Sequence, residues 1–235
     1  MPYYGYGYYF DPTYILVVIG MVISLIASAK VKGTYARYSR VRSRSGLTGA
    51  QAAERILRSA GLYEVRIEHI SGSLTDHYDP RSKVLRLSDS VYGSASVAAI
   101  GVAAHECGHA IQDDRSYAPL RIRNSLVPVA NIGTQAAWPI ILIGLVFAGS
   151  SFLVNLGILL FSLGVLFQLV TLPVEFDASG RAIRILSDSG ILYEEEVKQT
   201  KKVLGAAAMT YVAAAAASIL SLLRLLILFG GRNRD

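Results

Sequence analysis

Five consecutive residues, His105-Glu106-Cys107-Gly108-His109, carry the chemistry this chain could perform. On a helix, positions four apart lie one turn up on the same face, so the His105 and His109 imidazoles converge where one tetrahedral Zn²⁺ could sit. Glu106, about 100° round the helix from His105, borders that point without competing for it. Its carboxylate could take a proton from a metal-activated water and later return one to a leaving amine, the proton traffic of hydrolysis. With four histidines in 235 residues, the pattern would arise by chance in roughly a few per thousand chains. Its rivals are two solvent-facing histidines on an ordinary helix, or a metal site that is structural or has lost its activity. Cys107 is the only cysteine, so no internal disulfide is possible. Two positions on from His105 it points roughly 200° away, and core packing explains it better than ligation.

The elements that must position these residues are set by the solvent. Hydrophobic residues make up 52% of the chain and charged ones 17%, too apolar for an ordinary soluble domain, so the chain belongs in a membrane. Residues 1–12 read as a Tyr/Gly-rich interfacial or binding tail. Residues 13–29 are an apolar run long enough to cross, without the basic lead and cleavage site of a signal peptide. Lys30, Lys32, Arg37, Arg40, Arg42 and Arg44 follow with no acid among them. The positive-inside rule keeps that flank cytoplasmic and the N-terminus outward. A juxtamembrane position explains these charges without nucleic acid as a partner.

Residues 30–125 read as a cytoplasmic α+β segment. Thr48 can cap a helix through about Ala60, ended by Gly61. Val65 to Ile70 and Lys83 to Leu87 read as strands with Asp79-Pro80 in the turn between. Ser94 is the expected cap of the motif helix, and Val84 to Leu87 the expected strand whose edge meets an extended substrate. His69 and His77 read first as surface residues; His77 is weighed as a transition-state donor and either as a metal ligand.

Residues 126–172 form a predicted transmembrane hairpin with Gly149-Ser150-Ser151 as its turn. A hairpin returns the chain to the side it left, so residues 173–202 share a membrane face with His105 and His109. A catalytic zinc needs a third protein ligand and an open fourth position. Glu175 is the choice, because Pro173 can start a helix with Glu175 in its first turn. Asp177 is the runner-up, and a Glu175 that merely favours a helix N-terminus stays open. Ser179, one turn on, could orient Glu175. Residues 203–229 form the expected last span, interrupted by Arg224, which could snorkel outward, hold the helix shallow or pack on neighbours. Arg232 and Arg234 then fall outside, against the charge rule, outweighed by the six basic residues after the first span.

The runs His105-Glu106-Cys107-Gly108-His109-Ala110-Ile111-Gln112, Tyr117-Ala118-Pro119-Leu120 and Leu172-Pro173-Val174-Glu175-Phe176-Asp177-Ala178-Ser179 extend a wider match that also covers Leu74 to Arg81 and Val84 to Ser88. In these the chain resembles the YugP-type neutral zinc metallopeptidases of bacterial membranes. That family is similar in layout to the HtpX membrane proteases and the CAAX prenyl proteases. The resemblance implies one zinc held by His105, His109 and Glu175, with Glu106 as the base. Ser179 stands where those relatives carry an aspartate; Gly180 replaces a larger basic residue and Arg224 interrupts a usually apolar span.

The expected protein is therefore mainly α, with multi-pass transmembrane helices and a small cytoplasmic-side α+β gluzincin-like core. Its expected function is zinc-dependent endopeptidase action on membrane or membrane-associated proteins, with the active site at the cytoplasmic face of the cell membrane. Protein or peptide substrates and the lipid bilayer are the expected partners. One alternative is a prenyl-peptide or intramembrane protease, ranked lower because Asp113, Asp114 and Arg115 follow the motif at once. The other is a non-catalytic metal-binding scaffold or chaperone.

Overall fold

The computed structural model describes residues 11–147 and 150–230. Residues 1–10 of the Tyr/Gly-rich tail, Gly149 of the expected turn, Arg232 and Arg234 lie outside the described residues. Among the described residues, four helices are long and apolar enough to cross a membrane: α1 (Tyr14–Tyr38), α5 (Ala118–Val146), α6 (Ser151–Asp188) and α7 (Glu194–Phe229). The protein is mainly α, with membrane helices. α1 packs on α7, α7 on α6 and α6 on α5. Small residues allow the backbones to approach, since lipid tails supply no hydrophobic drive between helices. A Cβ added at Gly144 or Gly157 would meet the opposite helix of the α5–α6 pair within 3 Å. Outward, Leu25, Ile26, Val146 and Phe152 are each more than 60% exposed, as lipid-facing side chains are.

The remaining elements are α2 (Gly49–Ser59), β1 (Arg66–Ile70), β2 (His77–Asp79), β3 (Val84–Ser88), α3 (Asp89–Tyr92) and α4 (Val97–Asp114). α2 starts where expected: Thr48 and Gln51 cap each other reciprocally, satisfying two N-terminal amides. Gly61, at φ +79°, follows its end. The sheet runs β1-β3-β2, with β1 and β3 parallel and β2 antiparallel to β3. β3 is therefore flanked on both edges, and Leu85 and Leu87 are fully buried between the sheet and α2 and α4. The expectation that Val84 to Leu87 offers an edge to substrate is wrong. The free edges belong to β1 and to β2, the second a strand too short and too polar to show in the sequence.

The motif helix is capped two residues later than Ser94. Ser43 N donates to Ala95 O at 2.8 Å and Val97 N to Val41 O at 2.9 Å, holding this segment extended through Ser96. Ser96 is the cap, accepting from Ala99 N at 3.2 Å.

One further departure concerns the spans. Pro173 does not begin a helix; it lies inside α6, and Glu175 is in mid-helix rather than in a first turn. The missing proline amide is tolerated because Thr171, Val174, Glu175, Ala178, Ala182 and Leu186 form one buried stripe that carries the helix past it. α7 runs unbroken from Glu194 through the last span, its start held by Glu196, which accepts from Tyr193 N at 2.9 Å and Arg44 N at 2.8 Å. Arg224 packs on its neighbours instead of reaching for solvent. Its guanidinium lies 3.1 Å from Asp11 and 4.1 Å from the Tyr14 ring centroid, joining the C-terminal part of α7 to the start of α1.

Candidate metal centre

α4 supplies His105 and His109, and α6 crosses it with Glu175. The crossing is close because the fourth residue of the motif is glycine. A Cβ at Gly108 would lie 2.6 Å from the Ala178 carbonyl oxygen of α6, so any larger residue must separate the helices. Gly108→Val is expected to cost about 1–3 kcal/mol of stability by overpacking and to lower zinc content, checked by thermal unfolding and metal analysis. Wild-type stability with full zinc content would show that α4 and α6 need not meet this tightly.

The three ligand-type atoms face one another. His105 Nε2 and His109 Nε2 are 3.2 Å apart, and Glu175 Oε2 lies 3.2 Å from the first and 3.6 Å from the second. A tetrahedral zinc with bonds of about 2.0–2.1 Å separates its ligands by roughly 3.3–3.4 Å, so the spacing fits one ion. Hydrogen bonding on the far side of each ring bears on the tautomer. His109 Nδ1 donates to Gln112 Oε1 at 3.0 Å, which turns its Nε2 lone pair inward, and His105 Nδ1 lies 3.1 Å from Ser179 Oγ, which can accept from it when Nε2 carries the inward lone pair. Glu175 is 3% exposed, and its Oε2 has no satisfactory donor among the described residues. Two lone pairs and a carboxylate oxygen so placed repel one another unless a cation lies between them.

The groups behind the ligands differ in part from the expectation. Ser179 turns to His105 and not to Glu175, because α6 runs alongside α4 and one turn past Glu175 is level with the back of the His105 ring. Gln112 is fully buried and its amide is fixed three ways: it accepts from His109 and donates to Val174 O at 2.9 Å and Asp177 Oδ2 at 2.8 Å. Asp177 is thereby engaged by Gln112 and by Arg181, and it is absent from the cluster of ligand atoms. His69 pairs with Asp89 at 2.7 Å, away from the cluster. His77 reaches the rim of the site, its Nδ1 on Thr75 O at 2.9 Å and its Nε2 3.4 Å from Arg86. Cys107 is fully buried behind the helix, where burial pushes its thiol well up and keeps it inert.

Two cavities meet at this point, and His105, Glu106 and Glu175 border both. One, of about 250 Å³, is mainly apolar and is walled by Val31, Val102, Leu204, Ala207 and Ala208. The other, of about 140 Å³, is lined by Asp76, His77, Tyr78, Arg123 and Asn124. Burial raises the Tyr78 hydroxyl, helped by its hydrogen bond to Asp113 at 2.9 Å, so it stays a neutral donor.

Comparison with known proteins agrees with this geometry. Residues 13–230 match the model of a family described as "Putative neutral zinc metallopeptidase". The chain belongs to this zinc metallopeptidase family. A relative from Bacillus subtilis (strain 168), "Putative membrane protease YugP", is 47% identical over 221 residues, covering 94% of this chain and 98% of the relative. No solved structure matches the chain. Family membership implies zinc, and the donor set of two inward imidazole nitrogens and one buried carboxylate suits it. For a metallopeptidase the side chains that sequence reading missed are Gln112, Tyr211, Arg123 and Asn124. Gln112 carried a signal, three residues beyond His109 on the same helix. The other three come from α5 and α7, and only the packing of those helices brings them here.

Proposed function

We propose that the protein is a membrane zinc endopeptidase in which His105, His109 and Glu175 hold the ion and Glu106 is the general base. The convergence of two imidazoles on a buried carboxylate whose Oε2 has no hydrogen-bond partner among the described residues carries this reading. Zinc, when bound, lowers the pKa of water at its open position and polarises the scissile carbonyl. Glu106, 8% exposed and bordering both cavities, takes the proton of the attacking water and returns it to the departing amine. The free edge of β2 lies beside the polar cavity and can pair with an extended substrate backbone. The apolar cavity receives a side chain of aliphatic size next to the scissile bond. Substrates are proteins or peptides presented at the cytoplasmic membrane face, a side that the basic flank after α1 supports under the positive-inside rule.

The test is digestion of unfolded protein and peptide mixtures by the purified, detergent-solubilised chain. Cleavage is expected beside apolar residues, to stop on chelation and to return with stoichiometric zinc. Zinc-loaded protein that cleaves nothing in such mixtures would favour the metal-binding scaffold.

A further inference from the structure

On another side of the α1–α7 pair, a groove of about 580 Å³ is lined by Ala29, Lys30, Gly33, Thr34, Arg37, Tyr38, Lys202, Gly205 and Ala206. We propose that it seats the headgroup of one anionic phospholipid. Three cations line it, Lys30 and Arg37 from α1 and Lys202 from α7, and no acidic residue does. Lys30 and Arg37 lie about two turns apart on α1, and Lys202 joins them from α7. α1 changes from apolar to basic after Ala29, and α7 from basic to apolar after Lys202, so in this packed pair the groove sits where the bilayer's headgroups lie.

Its floor is open. A Cβ added at Gly33 or Gly205 would meet nothing within 4 Å, which leaves room for a phosphate between the cations. Below it the same helix faces continue as apolar and exposed surface. Residues three or four apart share a face, so Lys30 and Gly33 stand over Ile26 and Val22, and Lys202 and Gly205 over Met209. Ile26, Val22 and Met209 are 62%, 44% and 45% exposed. A charged seat leading into an apolar track matches a phospholipid, with its phosphate at Lys30, Arg37 and Lys202 and its acyl chains along α1 and α7. Free phosphate would satisfy the seat and leave the track unused.

The site owes nothing to the catalytic reading, and its test does not depend on activity. Native mass spectrometry of the full chain released from detergent, with equimolar phosphatidylglycerol and phosphatidylcholine, should show one retained phosphatidylglycerol. Three cations near the headgroup should give it a preference of roughly a hundredfold. Lys30→Gln/Arg37→Gln/Lys202→Gln should abolish the preference. Gly205→Phe should abolish it as well while keeping every charge, because the ring fills the floor. Zinc content and thermal unfolding identify a misfolded variant, in which case the other variant decides. Equal retention of the two lipids would overturn the proposal, as would a preference that survives the triple substitution or Gly205→Phe in a folded protein. Displacement of the lipid by millimolar inorganic phosphate would overturn it too, since the seat would then be a phosphate site.

Discussion

Glu106→Gln is expected to leave zinc content unchanged and to lower the rate of peptide hydrolysis by about 10²–10⁴-fold, the range that a positioned general base supplies. The substitution keeps volume and planarity at a site that is 8% exposed, so packing around α4 has no reason to change. What it removes is the ability to accept a proton, because an amide nitrogen offers only donors. Glu106 is not among the three clustered ligand atoms, so zinc retention should be unaffected. The measurements are metal analysis and initial rates on one peptide at several concentrations. A fall in kcat with little change in KM is the signature of a group that acts only as the reaction proceeds.

Glu175→Ala is expected to do the reverse, removing metal first and activity as a consequence. Groups that only orient metal ligands already cost 10–100-fold in affinity when mutated, so losing a ligand should cost more than roughly a hundredfold. The apoprotein should behave differently. Glu175 is a buried carboxylate whose Oε2 lacks a satisfactory donor among the described residues, and removing such a charge is neutral or stabilising when no cation compensates it. In the presence of chelator the variant should unfold at the wild-type temperature or above it. With zinc added, the wild type alone should gain stability, since an ion that binds only the folded state stabilises it by mass action. Zinc-dependent stabilisation equal to that of the wild type would remove Glu175 from the ligand set.

How much of this could be read without coordinates depended on whether a feature was local. His105 and His109 follow from helical spacing, and Thr48 announces its helix through contacts three residues away. Glu175 was reachable by topology, because a hairpin must bring its far end back to the near side. Its local setting was not. Pro173 signals a helix start in water, yet in α6 one buried stripe of side chains carries the helix through it. The β2 strand has three residues and no buried position, so no alternation marks it. Its presence changes which edge can meet a substrate. Ser179 and Gln112 take their roles from the register of α6 against α4, which Gly108 permits and no periodicity reports. Arg224 interrupts an apolar run, and its partner Asp11 lies more than two hundred residues earlier, beyond the reach of any local pattern.

All of the catalytic reading rests on α4 and α6 meeting at one divalent ion. Anomalous diffraction from crystals of the zinc-loaded protein, measured on either side of the zinc absorption edge, tests this most directly. The expected result is one peak per chain, bonded to His105 Nε2, His109 Nε2 and a Glu175 carboxylate oxygen at about 2.0–2.2 Å. A peak elsewhere, or one at the two histidines with Glu175 out of bonding range, would contradict it.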